Sequence, residues 1–110
     1  MARTPAVLGH ARVSSTGNNI VIGTSGQVKV CRYIRLYNQH TAEVQVDIYF
    51  LRSGETVASD GVQIARKYLQ PEKSTDVQVN VVLESNTTDI LHMVASVDDV
   101  VDVNVFGTVE

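Results

Sequence analysis

The side chains with the most reactive chemistry in this 110-residue sequence belong to three histidines and one cysteine. His10 lies in an aperiodic N-terminal stretch, His40 in a polar loop, and His92 on an apolar face of a predicted strand. Their spacing does not match a zinc-ligand set, in which neighbouring ligands recur within about two to five residues. Cys31 lies within another predicted strand, where a packed thiol is favoured over a reactive one. We therefore expect His92 to be a core or interface histidine, and we expect no metal site.

Acidic residues cluster at residues 59–61 (SDG) and 97–102 (VDDVVD). Carboxylate and carbonyl oxygens are the ligands that calcium prefers, so a calcium site is one interpretation of these clusters. The spacing of an EF-hand loop is missing, and we favour solvated turns. The sequence also contains neither a Gly-x-Ser-x-Gly elbow nor a phosphate-binding glycine loop. The residues therefore predict a protein that is not an enzyme and holds no cofactor.

Tyrosines are the most informative candidates for a binding surface. Tyr33, Tyr37 and Tyr49 fall on the parity opposite to the apolar positions of their predicted strands, and Arg35 shares that parity. Tyr and Arg are enriched in protein interfaces, so these four residues predict a protein contact. Two alternatives stay open: loops or the N-terminal segment cover the rings, or the rings form a carbohydrate platform. The absence of tryptophan counts against the carbohydrate platform.

Two strands within residues 28–51 position these tyrosines, and the rest of the chain is organised around them. Val28, Val30, Ile34 and Leu36 share one parity, and Val44, Val46, Ile48 and Phe50 share one parity in the second strand. Successive side chains of a strand point to opposite faces, so each strand has one apolar face. We interpret the pair as a hairpin, because a matched register aligns both faces. The favoured register sets Ile34 opposite Ile48, Tyr33 opposite Tyr49 and Arg35 opposite Asp47.

Further strands are predicted from alternating apolar residues and from the turns between them. Twenty of the 110 residues are valine, and β-branched residues favour strands over helices. No amphipathic helix of useful length occurs. The spacing predicts an all-β fold, an antiparallel β-sandwich or jelly roll of about six to eight strands. The additional strands are expected near residues 19–22, 62–70, 77–83, 89–96 and 101–109.

The N-terminal segment, residues 1–18, shows no apolar periodicity, and we expect it to be an extended arm attached to a sandwich domain of residues 19–110. Such a segment cannot bury enough surface to offset about 1–2 kcal/mol per residue of backbone ordering, so mobility is expected in the free protein. One hypothesis makes the arm a strap that orders on a partner, with Val7 and Leu8 in an apolar groove and Arg3 or Arg12 against acidic residues. The alternative is a plain disordered terminus.

Charge and composition exclude several classes of protein. The formal net charge of −3 argues against a nucleic-acid binder. No apolar run approaches the roughly 18 residues that span a bilayer, and no signal peptide is evident, so we expect neither a membrane protein nor a secreted one. A single cysteine excludes an intrachain disulfide. We therefore expect synthesis in a cytoplasm.

The charges are unevenly distributed along the chain. Residues 1–42 contain five basic residues and no acid, whereas residues 74–110 contain seven acids and no Lys or Arg. We favour the interpretation that basic early strands lie beside acidic late strands and cancel within the fold. The alternative is a dipolar surface that docks neighbouring copies head to tail.

The order of segments resembles that of small virion proteins of tailed bacteriophages. The resemblance covers residues 19–110 and depends on five motifs, taken in chain order. They are a strand ending I-x-L-x-N (residues 34–38), a valine-alternating strand (44–51), a leucine-x-proline turn (69–71), an acid-x-I strand ending in Ala-Ser (89–96) and a V-x-V-x-G-x-x-E close (103–110). The Pro-Ala-Gly-Lys that such proteins carry before the central strands is Thr-Ser-Gly-Gln here, at residues 24–27.

That resemblance implies a head decoration (cement) protein, with no catalytic residues to transfer. Its partner would be the major capsid protein or another virion protein, and its location the capsid surface. Self-association is expected as well, as a dimer or trimer with Tyr37 or Tyr49 near the contact, because exposed strand edges invite pairing. The alternatives are a tail, neck, baseplate or fibre component of the virion, and a carbohydrate-binding adhesion module.

Overall fold

A computed structural model describes residues 4–24, 26–52, 62–84 and 89–110. They form eight β-strands: β1 (Thr4–Val13), β2 (Asn18–Ile22), β3 (Lys29–Asn38), β4 (Val44–Leu51), β5 (Val62–Leu69), β6 (Ser74–Leu83), β7 (Ile90–Ala95) and β8 (Val101–Val109). The predicted all-β class and strand number are confirmed. Within these ranges no helix is long and apolar enough to cross a membrane.

The strands form two four-stranded sheets, with the order β1-β8-β3-β6 in sheet A and β2-β7-β4-β5 in sheet B. All strand pairs are antiparallel. Every connection except β4–β5 passes from one sheet to the other, so sequence neighbours mostly face each other across the sandwich. Eight strands in two sheets with these crossovers make a jelly roll.

The inner faces of the two sheets form one apolar core. From β3, Ile34 and Leu36 point inward, and from β4, Val46 and Ile48 do the same; all four side chains are fully buried. Burying a Val, Leu or Ile side chain stabilises a fold by about 1.5–3 kcal/mol. The core also contains the inward-facing side chains of β8, which are Val101, Val103 and Val105. The face assignments made for residues 28–51 are therefore confirmed at these positions.

The predicted hairpin between β3 and β4 is wrong, because the two strands belong to different sheets. Ile34 lies opposite Val77 of β6 and Val105 of β8. Ile48 lies opposite Ala65 of β5 and Met93 of β7. Matched apolar parity is required both of strands that pair and of strands that pack face to face, so the pattern alone does not separate the two. The predicted pairs Tyr33–Tyr49 and Arg35–Asp47 do not form.

Asn38 holds the corner where the chain leaves sheet A for sheet B. Its side chain is fully buried, and its Nδ2 group donates to the carbonyl oxygens of Ala42 at 3.0 Å, Leu69 at 3.1 Å and Gln70 at 3.3 Å. Its Oδ1 atom accepts from the backbone N–H of His40 at 2.9 Å. One amide therefore joins the β3–β4 corner to the β5–β6 corner and satisfies buried backbone groups of both.

The N-terminal segment also differs from the expected arm. Residues 4–13 form the edge strand β1, which pairs with β8 from Thr4 opposite Val109 to Val13 opposite Val101. Val13 is fully buried, and Leu8 and Ala11 pack against the core. The register shifts between Val7 and Gly9, and this bulge breaks the alternation that would have revealed a strand. The predicted mobility of the segment in the free protein stays a prediction.

Replacing Asn38 by Ala is expected to destabilise the fold by about 2–3 kcal/mol, because buried carbonyl groups lose their donor and an orphaned polar group costs about 1–3 kcal/mol. Urea unfolding followed by circular dichroism measures the change. Asn104→Ala, at a half-buried position on the outer face of β8, is the matched control and should change stability by less than about 1 kcal/mol. Equal losses in both variants would contradict the role assigned to Asn38.

Candidate binding surface

The outer face of sheet A carries an aromatic patch, defined here as Val7, Tyr33 and Phe106 with Arg32 at its rim. The three apolar residues lie side by side across three strands, since Phe106 of β8 is opposite both Val7 of β1 and Tyr33 of β3. The rings of Tyr33 and Phe106 stack with centroids 4.8 Å apart and an angle of 21° between their planes. Val7 is 58% exposed. The patch borders a hollow of about 510 Å³ that Ala6 and Gly107 complete.

A β-bulge in β3 brings Arg32 to this patch. The register of β3 shifts between Cys31 and Tyr33 against both neighbouring strands. Cys31 is buried, whereas Arg32 and Tyr33 are both at least partly exposed, so the extra residue puts two successive side chains on the outer face. The Nη1 group of Arg32 donates to Oδ1 of Asn80 at 3.0 Å. Among the described residues, no carboxylate forms an ion pair with Arg32.

The other half of the same face is polar, and its charges are paired. Arg35 donates from Nε and Nη2 to the two carboxylate oxygens of Asp76 at 2.9 and 3.3 Å. This hydrogen bonding raises the pKa of Arg35 and lowers the pKa of Asp76. Arg12 donates to Asp102 at 3.0 Å, and Gln39 also donates to that carboxylate. Basic β1 and β3 thus lie beside acidic β8 and β6, as the favoured interpretation of the charge distribution predicts.

Three of the four residues proposed from the tyrosine pattern lie on this one face. Tyr33 belongs to the aromatic patch, Arg35 to the paired polar half, and Tyr37 is 39% exposed on the same parity of β3. Tyr49 lies elsewhere. It points outward from sheet B, opposite His92, with the two ring centroids 6.4 Å apart. Because β3 and β4 are in different sheets, no single surface contains all three tyrosines.

The four residues proposed for the N-terminal strap also separate. Val7 lies in the aromatic patch, Leu8 packs against the core, and Arg12 pairs with Asp102. Arg3 lies outside the described residues. Of the three that are described, Val7 presents an exposed apolar side chain, and strand pairing with β8 holds it in place.

Phe106 and Arg32 belong to the patch but were not among the residues proposed from sequence. For Arg32 the position depends on the irregularity of β3, which the sequence does not mark. For Phe106 a signal existed, because it shares the parity of Asp102 and Asn104 and not that of the buried valines of β8. A large apolar residue on the polar parity of an alternating strand is a candidate for an exposed contact.

Cys31 and His92 also have shifted pKa values, and neither belongs to a catalytic arrangement. Burial raises the pKa of the Cys31 thiol to about 11, although nearby Lys29 acts in the opposite direction, so this thiol stays protonated at neutral pH. Partial burial lowers the pKa of His92. Nδ1 of His92 lies 2.7 Å from Oδ1 of Asn19. Within the described ranges, no group of three or more His, Cys, Asp or Glu side chains is arranged to hold a metal ion.

No family model matches this chain, and no curated protein matches it. The jelly roll is similar to a chain in the crystal structure of the T13 particle of infectious bursal disease virus, with a TM-score of 0.55 and 10% sequence identity. That alignment covers 98% of this chain and 30% of the viral chain. Structures of the Gx and Gt strains align with TM-scores of 0.46 and 0.38. At this identity the likeness establishes the fold, and this chain spans about 30% of the length of the viral chain.

Acid is expected to destabilise the protein through His92. Below a pH of about 6.5 the unfolded chain binds a proton that the folded chain resists, because the pKa of His92 is lowered in the fold. Stability should therefore decrease as pH falls through 6.5 towards the lowered pKa. Urea midpoints between pH 7.5 and 5.5 should fall more steeply for the wild type than for His92→Gln. Parallel pH profiles for the two proteins would contradict this assignment.

Proposed function

We propose that this chain is a structural protein of a virus particle, and more specifically a decoration protein that binds the outer surface of a capsid and bridges its subunits. The jelly-roll strand order and the likeness to a chain from a virus particle support the general role. The order of sequence motifs that resembles tailed-phage virion proteins supports decoration. The role requires no catalytic residue and no cofactor.

The aromatic patch is the observation that carries this proposal. Outward faces of sheets in a free sandwich are usually polar, and contiguous exposed apolar groups mark interaction sites. Here a stacked Tyr33–Phe106 pair lies beside an exposed Val7, with the guanidinium group of Arg32 at the rim. Aromatic groups with a neighbouring Arg are the composition of energetically important positions in protein interfaces. We assign this patch to the contact with the major capsid protein or another virion protein.

Stabilisation of the shell would follow from mass action. A protein that binds the assembled shell and not the free subunits shifts the equilibrium towards assembly. Contacts that span a boundary between subunits are lost when the subunits separate. A protein that binds through such contacts therefore prefers the assembled shell to the free subunits. In this mechanism the jelly roll is a rigid support that holds the patch in a fixed geometry.

The same patch is also compatible with a function from another class of protein, carbohydrate binding. The half-buried rings beside a hollow of about 510 Å³ also suit the apolar face of a sugar, so a carbohydrate-binding adhesion module is the second candidate. A tail, neck, baseplate or fibre component would use the same surface chemistry in another part of the virion.

Co-sedimentation with undecorated capsids tests the decoration role. The wild type should pellet with capsids, and Tyr33→Ala should weaken binding at least tenfold, because truncating an interface anchor costs about 2 kcal/mol or more. Tyr68→Ala is the matched control, since Tyr68 is 56% exposed on the edge strand of the other sheet, and it should bind as the wild type does.

Equal binding by Tyr33→Ala and the wild type would contradict the assignment of the patch. Failure of the wild type to pellet, together with binding to a glycan array that Tyr33→Ala abolishes, would favour the carbohydrate-binding module. Binding to purified tails in place of capsids would favour the tail component.

A further inference from the structure

We propose that the free edge of β6 is a self-association surface, on which a second copy of this chain adds its own β6 in antiparallel orientation about Gln78. The two copies of sheet A would then form one continuous eight-stranded sheet. The capsid contact proposed above uses residues of β1, β3 and β8. Arg32 of β3 borders both surfaces, and the two contacts are tested in separate experiments.

β6 is the least protected edge of the sandwich. It is ten residues long and ends sheet A, and between Ser74 and Leu83 it contains one charged residue, Asp76, and neither proline nor glycine. The other edges carry more of the features that block pairing: β1 has Pro5 and a bulge, β5 has Arg66 and Lys67, and β2 is five residues long. β6 has one bulge of its own, since Val79 and Asn80 both lie opposite Arg32 of β3. An unprotected edge presents unpaired N–H and C=O groups to another strand.

The side chains of β6 suit pairing with a second copy. Exposure alternates along the strand, with Val77, Val79 and Val81 more buried than Gln78 and Asn80. In this pairing Gln78 lies opposite Gln78 of the second copy, so the numbers of any two opposed residues sum to 156. This register keeps the core-facing side chains of both copies on the same side of the joined sheet. Val77 then lies opposite Val79 of the second copy, and Thr75 opposite Val81 of the second copy. Every pair on the inner side contains at least one valine.

An apolar cleft beside this edge would be covered by the same pairing. The cleft has a volume of about 280 Å³ and is lined by Ile64 and Ala65 of β5 and by residues 77–81 of β6, which are three valines with Gln78 and Asn80 between them. Ile64 is 39% exposed. A second copy that extends sheet A places its own β5 beside this opening, so apolar surface from both copies leaves water.

Charge complementarity selects both the occupant and the register. The guanidinium group of Arg32 contacts Asn80 and has no carboxylate partner among the described residues. In the proposed register Asp76 of the second copy lies opposite Asn80, which brings its carboxylate beside Arg32. That carboxylate already pairs with Arg35 of its own copy, so it would be shared between two guanidinium groups. The two-fold axis creates this contact twice, as expected for an isologous interface. A register with residue numbers summing to 152 would instead set two Asp76 side chains against each other, which is unfavourable.

Charge substitutions at Gln78 test the pairing in the free protein, by sedimentation velocity. The wild type should sediment as a dimer. Gln78→Lys and Gln78→Glu should each raise the dimer dissociation constant at least tenfold, since each sets like charges opposite each other across the two-fold axis. An equimolar mixture of the two variants should restore the dimer. His10→Lys and His10→Glu, at an exposed position on the opposite edge strand of sheet A, are matched controls and should stay dimeric.

Three results would overturn the proposal: a monomeric wild type at the highest soluble concentration, wild-type dimerisation by both Gln78 variants, or a mixture that stays monomeric. Circular dichroism of each variant establishes that the jelly roll is folded, and Gln78 is exposed, so its replacement should not disturb folding. Because capsids are absent from this experiment, failure of the dimer and failure of the decoration role give separate results.

Discussion

The buried amide of Asn38 is the interaction on which the path of the chain through the sandwich depends. It contacts backbone carbonyls at residues 42, 69 and 70, and its own backbone N–H donates to the carbonyl oxygen of Lys73 at 3.1 Å. The β3–β4 and β5–β6 corners are thereby fixed to each other at one end of the molecule. With these corners fixed, β3 and β4 face each other across the core, and β3 is free to pair with β6 and β8.

The alternation of apolar residues predicted which side of each strand is buried, but not which strands are neighbours. As expected, the core contains Ile34 and Leu36 of β3 and Val44, Val46 and Ile48 of β4. The partners were mistaken because a hairpin and a pair of strands packed face to face require the same parity. The deciding information was the buried polar residue at position 38. Two of the motifs quoted for the phage resemblance meet there, since Asn38 ends one and Leu69 begins the other.

Bulges limited the prediction at the binding surface. In β1 a bulge hides the alternation of a strand, and in β3 a bulge turns Arg32 and Tyr33 to the same side. The alternation of buried and exposed side chains holds only between such irregularities. Gly9 lies at the bulge of β1, and a glycine inside a strand often marks a bulge, whereas no residue type marks the irregularity of β3. Tyr33 and Val7 could be proposed from sequence, whereas their placement beside Phe106 required the order β1-β8-β3. Tyr49 was grouped with Tyr33 by the same parity argument that misplaced its strand.

The surface chemistry divides the molecule into parts with separate roles. Paired charges neutralise half of the outer face of sheet A, which leaves the aromatic patch and the edge of β6 as the unsatisfied surfaces. In the proposals above, the aromatic patch would contact another protein, and the edge of β6 would pair with a second copy of the chain. A rigid jelly roll with these two surfaces suits a protein that bridges larger assemblies.

Cryo-electron microscopy of virus particles purified from the natural source of this chain tests the central claim most directly. The account predicts jelly-roll density on the outside of the shell, with the outer face of sheet A towards the capsid and Tyr33 and Phe106 within the contact. Density that places the chain in the tail would contradict the decoration role. Absence of the chain from purified particles would contradict the virion role altogether.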